Sequence, residues 1–180
     1  LSLVLGPWLI RRLRDFQIGQ VIRQDGPQSH RPKAGTPTMG GLLIIGSIVV
    51  STLLWARSEN PFVWLVLFST LFLGAIGFYD DWLKVSKKNS KGISSKLKFG
   101  LQCVLAAIFT IFFLTSPRLS EIAKQLYIPF LKEPLIVSLG WLTFVFYLLV
   151  IVGTSNAVNL TDGLDGLATG CTATVAATYA

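Results

Sequence analysis

The chain has 180 residues, of which 52% are hydrophobic and only 14% charged, and its 16 Lys and Arg against 9 Asp and Glu give a formal net charge of +7. With a mean hydropathy of +0.60, this balance excludes an ordinary water-soluble globular domain and points to a multi-pass membrane protein. The basic residues flank apolar runs and no nucleic-acid motif accompanies them, so the charge is read as a topology signal and no nucleic-acid partner is expected.

In chain order, the opening "LSLVLGPWLI" is apolar for too short a run to cross a bilayer, and it has neither an initiator Met nor the basic n-region of a signal peptide. Uncharged stretches of roughly 18 residues or more, enough for a hydrocarbon core of about 30 Å, then predict full spans near residues 38 to 56, 61 to 79, 99 to 116 and 135 to 153. The stretch from Gly166 to Ala180 is again apolar and again short. Both ends therefore read as helices cut by the chain boundaries. The expected fold is all-α: a polytopic transmembrane helix bundle, incomplete, with four full spans and two partial ones. The whole of 1–180 reads as a single integral-membrane domain and a piece of a longer protein. Between the third and fourth spans, "PRLSEIAKQLYIPFLKEP" reads as a short amphipathic excursion broken by Pro117, Pro129 and Pro134. Cys103 and Cys171 fall inside apolar segments unrelated in sequence, so no structural disulfide is expected.

Arg11, Arg12, Arg14, Arg23, Arg31 and Lys33 crowd the first loop, and Lys84, Lys87, Lys88, Lys91, Lys96 and Lys98 the third. The second loop holds only Arg57, and the fourth Arg118, Lys124 and Lys132. By the positive-inside rule, the loops near 11–37 and 80–98 are cytoplasmic, and alternation of spans puts the loop near 154–165 on the same side. The three loops so grouped hold Asp25, His30, Asp80, Asp81, Asn156, Asn159, Asp162 and Asp165, so the unusual polar chemistry gathers on one face.

Each cluster has a structural and a chemical reading. Asp80 and Asp81 lie four and three residues before Lys84 in "YDDWLK", a spacing that gives surface ion pairs at a helix end. Adjacent carboxylates at a membrane rim also suit a hard divalent cation such as Mg²⁺, which takes oxygen ligands and bridges to substrate phosphates. In "NLTDGLDGLA", Thr161 or Asp162 can cap the start of the last helix. The interleaved Gly163 and Gly166 also let a phosphate or a uracil-like ring approach backbone N–H groups. In "PQSHRPKAGTPTMGG", Lys33 and Thr38 can grip a pyrophosphate, while Gly40, Gly41 and Gly46 can permit close helix packing. His30, a lone histidine, is read as structural rather than as a base.

Taken in order, "SHRPKAGTPTMGG", "GFYDDWLKV", "NSKGISSKLK" and "NAVNLTDGLDGLA" resemble the phospho-N-acetylmuramoyl-pentapeptide-transferase family. That family falls within the superfamily of polyprenyl-phosphate N-acetylhexosamine-1-phosphate transferases. The resemblance implies transfer of phospho-MurNAc-pentapeptide from UDP-MurNAc-pentapeptide to undecaprenyl phosphate in the bacterial cytoplasmic membrane, giving lipid I and UMP, with Mg²⁺ as cofactor. It implies that Asp80 and Asp81 are the family's acidic pair, which deprotonates the lipid phosphate or helps hold the metal. Lys33, Thr38, Lys96, Asn159 and Asp162 match the nucleotide-sugar site, and Gly163, Leu164 and Asp165 lie where uracil is bound. The family also carries a further catalytic Asp and a histidine-rich motif later in its chain, so turnover by residues 1–180 alone is not expected; a homodimer is the assembly it allows. A sister transferase using UDP-GlcNAc is the strongest alternative. A secondary transporter is more distant, because its ionisable residues are expected near the bilayer midplane rather than at one rim.

Overall fold

The computed structural model describes residues 1–15, 39–87, 92–117, 119–162 and 166–179. Among these the regular structure is helical, apart from one isolated antiparallel bridge between Leu126 and Ile136. The helices are α1 (Ser2–Asp15), α2 (Gly41–Trp55), α3 (Pro61–Ser86), α4 (Ser95–Thr115), the single turn α5 (Ser120–Ala123), α6 (Leu142–Thr161) and α7 (Leu167–Tyr179). Two compact units divide the chain, Leu1–Lys98 and Phe99–Ala180.

Helices α3, α4 and α6 are long and apolar enough to cross a membrane, while α2, which carries the span expected near 38 to 56, is a shorter apolar helix of 15 residues. Large side chains such as Leu54, Val66, Ile111 and Leu149 turn outward. Such an apolar exterior suits lipid, because each helix satisfies its own backbone N–H and C=O groups internally.

In the first unit α1 packs on α2 and α2 on α3. Ser2 Oγ donates to Ser47 Oγ at 2.9 Å across the first of these contacts. At the second, a Cβ on Gly74 would overlap the tip of the Ile45 side chain, so the small residue there leaves room for Ile45 between α2 and α3. A Cβ at Gly40, Gly41 or Gly46, the glycines expected to permit such packing, meets nothing among the described residues. Helix α3 starts where it does because the Asn60 side chain accepts a hydrogen bond from Phe62 N–H at 3.0 Å and Pro61 occupies the first helical position.

In the second unit α4 and α6 run antiparallel. Phe113 stacks on Tyr147 with ring centroids 5.5 Å apart. Toward the opposite end of the pair, Gln102 and Asn156 exchange a side-chain hydrogen bond of 2.9 Å, Asn156 Nδ2 donating to Gln102 Oε1. Gln102 Nε2 in turn donates to Ser155 Oγ at 3.0 Å. Gln102 is only 3% exposed, and Leu105 and Ala106 are buried one turn further along α4.

The fourth span corrects the sequence reading. Residues 135 to 141 precede the helix, where Leu126 N–H donates to Ile136 O at 2.9 Å and Leu139 N–H to Lys124 O at 2.8 Å. The helix α6 instead continues through "GTSNAVNLT", which reads as loop. It can do so because its polar side chains find partners without leaving the helix: Thr161 Oγ1 donates back to Ala157 O at 2.8 Å and Asn156 Nδ2 to Val152 O at 2.8 Å.

Candidate active site

The acidic pair sits near the end of α3, one residue after the expected span. From Pro61 to Tyr79 the helix rises roughly 28 Å at about 1.5 Å per residue, close to the hydrocarbon thickness. Asp80 and Asp81 therefore fall at the rim and on the helix, not in the loop predicted to begin at residue 80. The stacked pair Tyr79 and Trp82, centroids 6.0 Å apart, flanks them. Amphipathic rings of this kind favour the membrane–water interface.

Lys84 bridges both carboxylates, with its Nζ 2.5 Å from Asp80 Oδ2 and 3.2 Å from Asp81 Oδ1. The ion pairs expected from the three- and four-residue spacings are thus formed. They do not account for the other oxygen of Asp80, which accepts a hydrogen bond of 2.7 Å from the Ile93 N–H, thirteen residues on. Both contacts favour the ionised carboxylate, and a hydrogen bond to a charged group contributes about 1.5–3 kcal/mol.

The preceding residue, Gly92, lies against the same carboxylate so closely that an added Cβ would overlap it. Immediately afterwards Ser94 caps α4, its Oγ accepting from Leu97 N–H at 3.3 Å and its carbonyl from Lys98 N–H at 3.0 Å. Asp80 of the DD pair is therefore tied to the turn that launches α4 and its first-turn lysines. Lys96 is exposed on that turn and Lys98 half-buried.

Among the described residues no group of three or more His, Cys, Asp and Glu side chains converges. Two adjacent carboxylates nevertheless fit Mg²⁺, which commonly takes one or two and completes its octahedron with phosphate oxygens and water. Each carboxylate oxygen has two lone pairs, so Asp80 keeps acceptor capacity beyond its Lys84 and Ile93 partners.

Of the other predicted site residues, Asn159 is exposed on the last turn of α6. Asp162 ends that helix rather than starting the next: its N–H donates to Val158 O at 3.1 Å, as a C-cap. The expected N-capping role of Thr161 or Asp162 is thus corrected, because α6 runs on to Thr161. Lys33, Thr38, Gly163, Leu164 and Asp165 lie outside the described residues, as does His30. Sequence reasoning missed Gly92 and Ile93 as partners of Asp80, although Gly92 stands two residues before the capping Ser94. It also missed Gln102, a lone amide in an otherwise apolar run.

The glycosyl transferase family 4 model matches residues 63–180. Residues 33–45 match signature 1 of phospho-N-acetylmuramoyl-pentapeptide-transferase, a segment that includes Lys33 and Thr38. The chain is similar to proteins named phospho-N-acetylmuramoyl-pentapeptide-transferase. One from Desulfotalea psychrophila is 55% identical over 99% of this chain and 49% of its own length. One from Citrifermentans bemidjiense is 52% identical over 99% and 49%, and one from Koribacter versatilis 46% over 96% and 49%. The chain spans about half the length of the curated relatives it matches. A match over residues 63–180, covering the DD pair, α4 and the "NLTDGLDGLA" segment, makes this chain a member of glycosyl transferase family 4.

Proposed function

We propose that the chain supplies part of a phospho-N-acetylmuramoyl-pentapeptide transferase, working at the cytoplasmic face of a bacterial inner membrane. The reaction forms a P–O bond between an undecaprenyl phosphate oxygen and the sugar-proximal phosphorus of UDP-MurNAc-pentapeptide. The pyrophosphate bridge to the nucleotide breaks, lipid I forms and UMP leaves. The observation that carries this reading is the fixed acidic pair at the rim of an apolar helix, where a lipid head group and a water-soluble nucleotide can meet. Similarity to relatives of that name, and the signature at residues 33–45, support this substrate over UDP-GlcNAc.

In this proposal Asp80 and Asp81 would hold Mg²⁺, whose chemistry is to neutralise phosphate charge, or one of them takes the proton of the lipid phosphate. Phosphoryl transfer depends mostly on alignment and charge neutralisation. Lys33, Thr38 and Lys96 add donors and positive charge for the pyrophosphate. Asn159, Asp162, Gly163, Leu164 and Asp165 receive the nucleotide. Residues 1–180 alone give no turnover, in keeping with their covering about half of each relative, and a homodimer is the proposed assembly.

The test uses the full-length enzyme, meaning this chain with the remainder its relatives carry, in detergent with undecaprenyl phosphate and Mg²⁺. UDP-MurNAc-pentapeptide should yield lipid I and UMP in equal amounts, UDP-GlcNAc should yield neither, and chelation should stop the reaction. Transfer from UDP-GlcNAc in place of the muramoyl donor would assign the sister activity.

A further inference from the structure

Two observations converge on one carboxylate and are independent of the ion pairs. The Ile93 N–H donates to Asp80 Oδ1 at 2.7 Å, and Gly92 leaves no room for a Cβ beside the same group. A glycine in contact with a carboxylate tip, followed by the N–H that binds it, is a seat for the acid rather than a simple connection between helices. The seat is part-buried, and the chain passes straight from it into the Ser94 cap of α4. Lys84 alone would leave the carboxylate free to swing about its side-chain torsions; the backbone donor fixes one oxygen in direction as well as distance.

We propose that Gly92 is a positioning residue for Asp80. It lets the Ile93 N–H reach Asp80 Oδ1, which holds the acid of the DD pair in one orientation and couples the end of α3 to the start of α4. Any side chain at position 92 occupies the space of the carboxylate. Asp80 must then rotate off the Ile93 N–H, because the backbone of the turn is already committed to capping α4. The effect on turnover rests on the proposed transferase reading; the effect on the hydrogen bond does not.

The experiment compares Gly92→Ala, Asp80→Ala and the double variant of the full-length enzyme by residue-resolved amide hydrogen exchange and by kinetics. Gly92→Ala should speed exchange at the Ile93 amide by about tenfold or more, as expected when a protecting hydrogen bond is lost. Asp80→Ala should do the same, and the double variant should exchange no faster than either. In turnover, Gly92→Ala should lower kcat at least about tenfold while KM for UDP-MurNAc-pentapeptide moves less than about threefold, the pattern of a lost transition-state alignment. If Gly92→Ala does not fold, Asp80→Ala in the same chain should restore folding by vacating the space the methyl needs. Unchanged exchange at Ile93 in Gly92→Ala, additive effects in the double variant, or no rescue of a misfolded Gly92→Ala would each overturn the proposal. A silent Asp80→Asn variant, by contrast, would remove the transferase role of Asp80 and leave the seat standing.

Discussion

At the scale of single residues, chemistry legible from spacing and chemistry that needs the fold meet on the same side chain. The four-residue step from Asp80 to Lys84 predicts their ion pair, because such residues share a helix face. The Ile93 N–H is thirteen residues away across a turn, and no periodicity announces it. Gly74 is a comparable case. Nothing in the sequence distinguishes it from Gly40, Gly41 or Gly46, yet among the described residues only Gly74 of the four lies against another helix. Gly74→Leu should therefore lower thermal stability in detergent by about 1–3 kcal/mol through overpacking against Ile45, and Ile45→Ala should recover part of the loss. Equal melting of Gly74→Leu and the parent would show that α2 and α3 do not pack through this position. For the proposed nucleotide site, Lys33→Ala or Asp162→Ala in the full-length enzyme should weaken UDP-sugar binding roughly 10- to 150-fold, the effect of losing one charged partner. Calorimetric titration that finds nucleotide affinity unchanged in both would contradict their assignment.

Among the elements, α3 and α4 follow directly from their uncharged runs, since chain length and hydropathy together leave few other conformations in a bilayer. Helix α6 does not. Its last two turns hold Thr154, Ser155, Asn156 and Asn159, residues that compete for backbone groups and favour loops when alone. Thr154, Ser155 and Asn156 bond back to carbonyls of their own helix, and Gln102 of α4, more than fifty residues away, adds a tertiary tie by donating to Ser155 and accepting from Asn156. Hydrogen bonds between membrane helices average about 0.6 kcal/mol with a maximum of about 1.7. Gln102→Leu should thus destabilise the α4–α6 pair by about 1–3 kcal/mol in reversible unfolding from mixed micelles, taking two bonds together. A double-mutant cycle with Asn156→Leu should show coupling, and strict additivity would mean that the two side chains do not share a bond.

For the whole molecule, the distribution of Lys and Arg in the sequence supports one proposed topology, with the DD pair on the side expected to hold the basic loops. In a chain with Cys103 and Cys171 replaced by Ser, Ser29→Cys and Ser90→Cys should react with an impermeant maleimide only from the cytoplasmic side, and Glu121→Cys only from the outside. Reversed labelling at any of the three would overturn the proposed topology and with it the proposed shared site. The central claim, that the rim carboxylates carry phosphosugar transfer, is tested most directly by lipid I synthesis in the full-length Asp80→Asn, Asp81→Asn, Asp80→Glu and Asp81→Glu variants. Asn keeps shape and removes charge; Glu keeps charge and displaces it by one methylene, enough to disturb the near-octahedral geometry that Mg²⁺ requires. All four should insert and fold, and all four should make lipid I at least about 10²-fold more slowly than the parent. Near-parental synthesis by both Asn variants would contradict the account, leaving Asp80 and Asp81 with structural roles alone.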